Sequence, residues 1–147
     1  MRQRTLRGSG SRWRPQVELT LLVTRIYSGE DGLSHFEDLE LPLTISAAGA
    51  MSSPIPMESI FLRDTREAGP TVWDYHVAPR RQFAIHLIGR TEIEVGGGVR
   101  RTFGPGDLLL ADDLTGQGHI SREIEGPRLQ VFAALADGFD LATMALR

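Results

Sequence analysis

The histidines are the side chains of this chain best suited to acid–base or metal-ligating chemistry, for it contains no cysteine. Disulfides, thiolate nucleophiles and cysteine zinc sites are thereby excluded. Four histidines are present, at positions 35, 76, 86 and 119. Imidazole titrates near neutral pH and suits general acid–base work. His35 lies in a polar segment and is expected to be exposed.

The other three histidines sit among groups that could serve a small-molecule site. In the run TVWDYHVAPRRQFAIHLIG, from Thr71 to Gly89, Arg80 shares strand parity with His76 and Gln82. It could face inward and clamp a carboxylate-bearing ligand, or lie on the surface paired with a carboxylate. Gln82, Ala84 and His86 share one strand face, so His86 is either a third inward imidazole or a hydrogen-bonded core histidine. Trp73 and Tyr75 alternate just before His76, as the mouth of a pocket or as plain core. Asp112 and Asp113 precede His119. One of them could orient that ring, although aspartates in turns more often serve the backbone.

The run HVAPRRQFAIHLIG, followed by Pro105-Gly106-Asp107, LLLADDLTGQ and Gly118-His119, resembles the two motifs of the cupins. The resemblance implies an all-β double-stranded β-helix, a jelly-roll barrel, over residues 17–147. His76 takes the place of the first motif histidine, Ala78 the second, Gln82 the glutamate and Gly89 the glycine. His119 takes the histidine of the second motif. A metal-binding cupin offers three histidines and one glutamate. Here His76 and His119 remain, Ala78 cannot ligate and Gln82 offers only a neutral amide oxygen, which weakens any site for iron, manganese, nickel or zinc.

Three functional classes follow from the resemblance. The first is an isomerase- or cyclase-type enzyme, with His76 or His119 as acid–base, Gln82 positioning the substrate, and Arg80, His86, Trp73 and Tyr75 around it. The second is a metal-dependent oxygenase or lyase, its ion held by His76, His119 and Gln82, with His86 as a rescue ligand. The third is a module that binds or senses a small molecule without chemistry. Cupins often pair through their sheets, so a homodimer is expected.

The elements that would position these residues are short strands between Gly/Pro turns, the pattern of an all-β sandwich or barrel. Strands are expected at 17–27, 58–63, 71–76, 83–88, 91–95, 99–103, 108–111, 118–124 and 128–134. Residues 35–42 form a mixed segment anchored by Phe36, Leu39 and Leu41. Residues 45–56 are too rich in small residues for regular structure, and the tail at 139–146 could form a short helix.

Charge and composition narrow the partners. The chain is 147 residues long and 41% hydrophobic, enough for one globular domain. Five of its 16 basic residues, all arginine, lie in the first 14 positions. Residues 1–16 are therefore expected to be a basic, disordered extension lacking the apolar core of a secretion signal. The remainder carries 11 arginines against 19 carboxylates, and an acidic body argues against nucleic-acid binding. No apolar run is long enough for a membrane helix, and a cytoplasmic protein is expected.

Overall fold

The structure is a computed structural model that describes residues 19–68 and 71–146. The basic extension at 1–16 lies outside them. The fold is all-β and jelly-roll-like, and no helix of the described residues is long and apolar enough to cross a membrane.

The first hairpin joins β1 (Thr20–Ser28) to β2 (Ser34–Pro42) in antiparallel register from Thr20↔Pro42 to Ser28↔Ser34. Residues 45–56, expected to be irregular, instead contain a small exposed hairpin of β3 (Thr44–Ser46) and β4 (Gly49–Met51). Next come β5 (Met57–Asp64) and β6 (Val72–His76). The two strands expected at 83–88 and 91–95 are one continuous strand, β7 (Gln82–Glu94). Those at 118–124 and 128–134 merge likewise into β10 (His119–Leu135), after β8 (Arg100–Phe103) and β9 (Leu109–Asp112).

Gly89 and the segment opposite it explain the merging. Gly89 has φ +87°, and a Cβ there would meet Arg128 Cγ and the carbonyls of Glu125 and Pro127 at 2.7 Å. The β7–β10 register slips three times between Glu123 and Gln130. The punctuation read as a turn is thus an irregularity inside two long strands, which carry on past it. Each long strand changes neighbours on the way. β7 pairs with β9 at Gln82–Ala84 and with β8 at Thr91–Glu94, and β10 pairs with β6 near His119 and with β5 beyond Leu129.

Alternation along these strands divides core from cavity. Phe83, Leu110, Ala133 and Leu135 face one apolar cluster with Val23, Leu39 and Leu41. Leu141 closes it from a single 3-10 turn (Leu141–Met144), the only helical element in the tail where a short helix was expected. Their strand neighbours Gln82, Ala84, His86, Leu109, Ala111, Gln130 and Phe132 line a cavity on the other face. Of the three anchors expected in β2, Leu39 and Leu41 are buried, and Phe36 is half-buried against the second cluster, formed around Ile26, Ile93 and Phe103.

Candidate functional site

The cavity has a volume of about 400 Å³, and its wall takes in three histidine-motif residues, His76, Gln82 and His119, together with His86, Arg80 and Trp73. These fall into two groups at different levels of the long strands.

The first group is a pair of imidazoles. His76 ends β6 and His119 begins β10, where the two residues are register partners with ring centroids 4.5 Å apart. Between His76 and Trp73 the register slips, three residues of β6 opposing two of β10. This irregularity brings Trp73 and His76 to the same side, edge to face at 5.5 Å. It also overturns the expected alternation. Tyr75 does not line the cavity; it is exposed, and its hydroxyl lies 3.5 Å from Glu94 Oε2.

Both rings are oriented through Nδ1. His119 Nδ1 donates to Asp113 Oδ2 at 2.6 Å, and Ser34 Oγ donates to the same oxygen at 2.7 Å. Asp113 and Ser34 are wholly buried. His76 Nδ1 donates to the Asp74 carbonyl at 2.8 Å. Because carboxylate and carbonyl oxygens only accept, each ring carries its proton on Nδ1. Nε2 of each has no protein partner among the described residues. Asp113 therefore orients His119, whereas Asp112 pairs with Arg25 and Arg81 at 2.8 and 2.6 Å. The backbone-serving role expected of turn aspartates fits neither carboxylate. The Asp113 carbonyl also accepts from Ala78 N, tying the His76 loop to the His119 loop.

Gln82 belongs to the same level. Its Oε1 accepts from Arg80 Nη1 at 2.9 Å, and the Arg80 guanidinium lies over Phe61, 4.4 Å from the ring centroid. Arg80 is thus on the cavity wall and not in a surface ion pair. The exposed histidine expected at position 35 is half-buried and bonded to Asp31 at 2.9 Å, which holds the Asp31 carboxyl below its ordinary range.

The second group lies at the level of His86, four residues beyond Gln82 along β7, roughly 13 Å of strand at about 3.3 Å per residue. His86, Gln130 and Arg63 stand side by side on β7, β10 and β5. Gln130 Oε1 accepts from Arg63 Nε and Nη2 at 3.0 and 2.6 Å. Its amide nitrogen must therefore be the atom 3.0 Å from His86 Nε2, and it donates there. Thr91 Oγ1, which accepts from Arg128 Nη1, lies 2.7 Å from the same His86 nitrogen. With Nε2 accepting, the His86 proton sits on Nδ1, which is buried without a partner. Burial, reinforced by the charges of Arg128 and Arg63, pushes the His86 pKa down to about 4. Arg128 Nε lies 3.3 Å from Glu123 Oε1 without hydrogen-bond alignment, and burial lowers the arginine's pKa.

A metal ion of the kind the cupin resemblance implies does not fit these donors. Ala78 is buried on the cavity wall where an imidazole would be needed. Gln82 turns its oxygen to a guanidinium, whose charge would repel a dication. His86 is engaged with Gln130 and Thr91 and cannot act as the rescue ligand. Among the described residues no three histidine or carboxylate side chains are grouped to hold an ion.

Sequence reasoning missed Ser34, Arg63, Thr91, Arg128 and Gln130. Gln130 and Arg63 did leave a signal: each is a polar residue within an apolar strand, in LQVFAALA and ESIFLR. Their convergence on His86 depends on cross-strand register, which one strand's alternation does not contain. No family model matches this chain, and no curated protein matches it.

Proposed function

We propose that this is a cupin-like barrel protein that binds a small organic molecule in its cavity and moves a proton on it, as an isomerase or cyclase does. The observation that carries the reading is the Ser34–Asp113–His119 array, which fixes one tautomer of an imidazole on the cavity wall. In this reading Nε2 of His119 removes a proton from a C–H or O–H of the ligand. The Asp113 carboxylate balances the imidazolium that forms, and His119 or His76 returns a proton at a different atom. Gln82 and Arg80 position the ligand's oxygens. Elemental analysis of protein purified without chelator is expected to find well under one equivalent of transition metal; a stoichiometric ion would overturn the metal-free part of the reading.

The test is turnover in a defined mixture of small metabolites, followed by mass spectrometry and NMR. At least one compound should be converted by the native protein and not by His119→Ala. Conversion unchanged in both His76→Ala and His119→Ala would overturn the proton-transfer role. Saturable binding without conversion would mark a binding module.

The reading includes a homodimer. β5 pairs with β10 on one side and offers its other edge with Ile60 and Leu62 exposed, at 64% and 75%. A partner strand or sheet would cover these side chains. Sedimentation equilibrium should give the mass of two chains, and a monomer at high concentration would contradict this.

A further inference from the structure

Among the described residues the cavity wall carries three guanidinium groups, Arg63, Arg80 and Arg128, and no carboxylate. Arg128 has its counter-charge behind the wall in Glu123, and its Nη1 and Nη2 bond to Thr91 and Thr71. Arg63 has no carboxylate within ion-pair distance among the described residues, and the Glu123 charge that acts on it is shared with Arg128. The only hydrogen-bond acceptor of Arg63 among the described residues is the neutral Gln130 amide, which occupies the Nε/Nη2 edge of the guanidinium. The Nη1/Nη2 edge has no acceptor among the described residues. The group is held between the rings of Trp73 and Phe132, its central carbon 5.8 and 4.8 Å from their centroids. Burial and neighbouring Arg128 push its pKa down to about 10, so the isolated protein holds this cation at a cost. His86 stays neutral and adds no further positive charge beside it.

A planar fork with one edge closed by an amide and the other open matches a carboxylate, which accepts two parallel N–H bonds. We infer that Arg63 is the anchor for the carboxylate of a small organic acid, whose apolar body lies along Phe61, Phe132 and Ala84 towards the His76–His119 pair. This rests on the proposed ligand-binding role of the cavity and specifies the ligand's class. The spacing of the two levels also sets its size. An acid whose carboxylate is at Arg63 and whose reacting atom is at His119 needs a chain or ring of several carbons between them. Arg80, over Phe61, adds a second cation on that path for a keto, hydroxyl or second carboxylate oxygen.

The test is a ligand-observed NMR screen of the full chain against a panel of small carboxylic acids, their matched primary amides and their matched phosphate monoesters. Competition and a cavity-filling variant, Ala84→Phe, assign binding to the cavity. Acids should bind at least about 10-fold more tightly than their amides, the scale of a charge-assisted fork. Arg63→Met should abolish that preference and Arg63→Lys should restore part of it, with thermal melting confirming that each variant folds. Amides binding the cavity as well as acids, phosphate esters outcompeting acids, or a preference for acids unchanged in Arg63→Met would each overturn the carboxylate anchor while leaving a ligand cavity in place. If no member of any class bound in a manner blocked by Ala84→Phe, both the anchor and the ligand-binding reading would fall.

Discussion

Two ends of one cavity treat the same side chain in opposite ways. At the His119 end, each imidazole has Nδ1 anchored to an oxygen and Nε2 left without a partner among the described residues. At the Arg63 end, the imidazole of His86 has Nε2 occupied by an amide and a hydroxyl, with Nδ1 sealed in the wall. The neighbours differ in sign as well. A carboxylate stands behind His119, whereas two arginines stand beside His86. An imidazole backed by an anion with a bare nitrogen is the one to which the proposed function assigns proton exchange with a ligand. One crowded by cations is fixed neutral and serves as a strut.

The strut end should break most severely. Arg128 and Glu123 are both nearly inaccessible at their side chains, 3% and 5% exposed. Arg128→Met leaves Glu123 buried with only the Thr65 hydroxyl in place of its ion-pair partner and removes donors from Thr71 and Thr91. It is expected to destabilise the fold by about 3–5 kcal/mol, read from urea unfolding. A loss under about 1 kcal/mol would mean that the Arg63 end is not held by this pair.

At the His119 end, the weak point is the backbone. Gly118 has φ +79°, and a Cβ there would run into the backbone of His76 and Val77. Gly118→Ala should cost about 2–3 kcal/mol through left-handed strain and this clash. It should also separate His76 from His119, seen as loss of the nuclear Overhauser contacts between the two rings. Retention of those contacts with unchanged stability would contradict the account of how the pair is assembled.

Much of this was legible in the sequence, and the failures have particular causes. The inward face Gln82–Ala84–His86 followed from alternation, and the all-β fold from strand and turn spacing. Tyr75 was misplaced because the irregularity between Trp73 and His76 reverses the parity on which its assignment rested. Gly89 signalled a turn, but a close crossing with Arg128 and Pro127 gives glycine the same necessity. Asp113 could not be distinguished from a turn aspartate, because its partners Ser34 and His119 come from β2 and β10 and meet only in the fold. Arg63 and Gln130 became a site only through the register of β5, β10 and β7.

The pH dependence of stability separates the two ends more gently. His86 has its folded pKa near 4, below the ordinary 6.5. Between those values the unfolded chain binds the extra proton, so stability rises with pH across the window and is lost as pH falls from about 6.5 to about 4. The loss should amount to about 2 kcal/mol, a figure reduced for solvent screening. Unfolding free energies of native protein and His86→Gln should converge towards acid pH over this window. A difference that stays constant with pH would count against a neutral His86. The smallest effect is expected for Tyr75→Phe, within about 0.5 kcal/mol in stability and without influence on cavity ligands. A larger change in ligand binding would return Tyr75 to the site.

The division between the two ends is tested most directly by long-range ¹H–¹⁵N spectra of the imidazole rings across a pH titration. The account predicts that His86 remains a single neutral Nδ1–H tautomer until the pH approaches about 4, and that His119 carries its Nδ1 proton in a hydrogen bond to Asp113 that Asp113→Ala abolishes. His86 titrating near its ordinary 6.5, or His119 found as the Nε2–H tautomer, would contradict it.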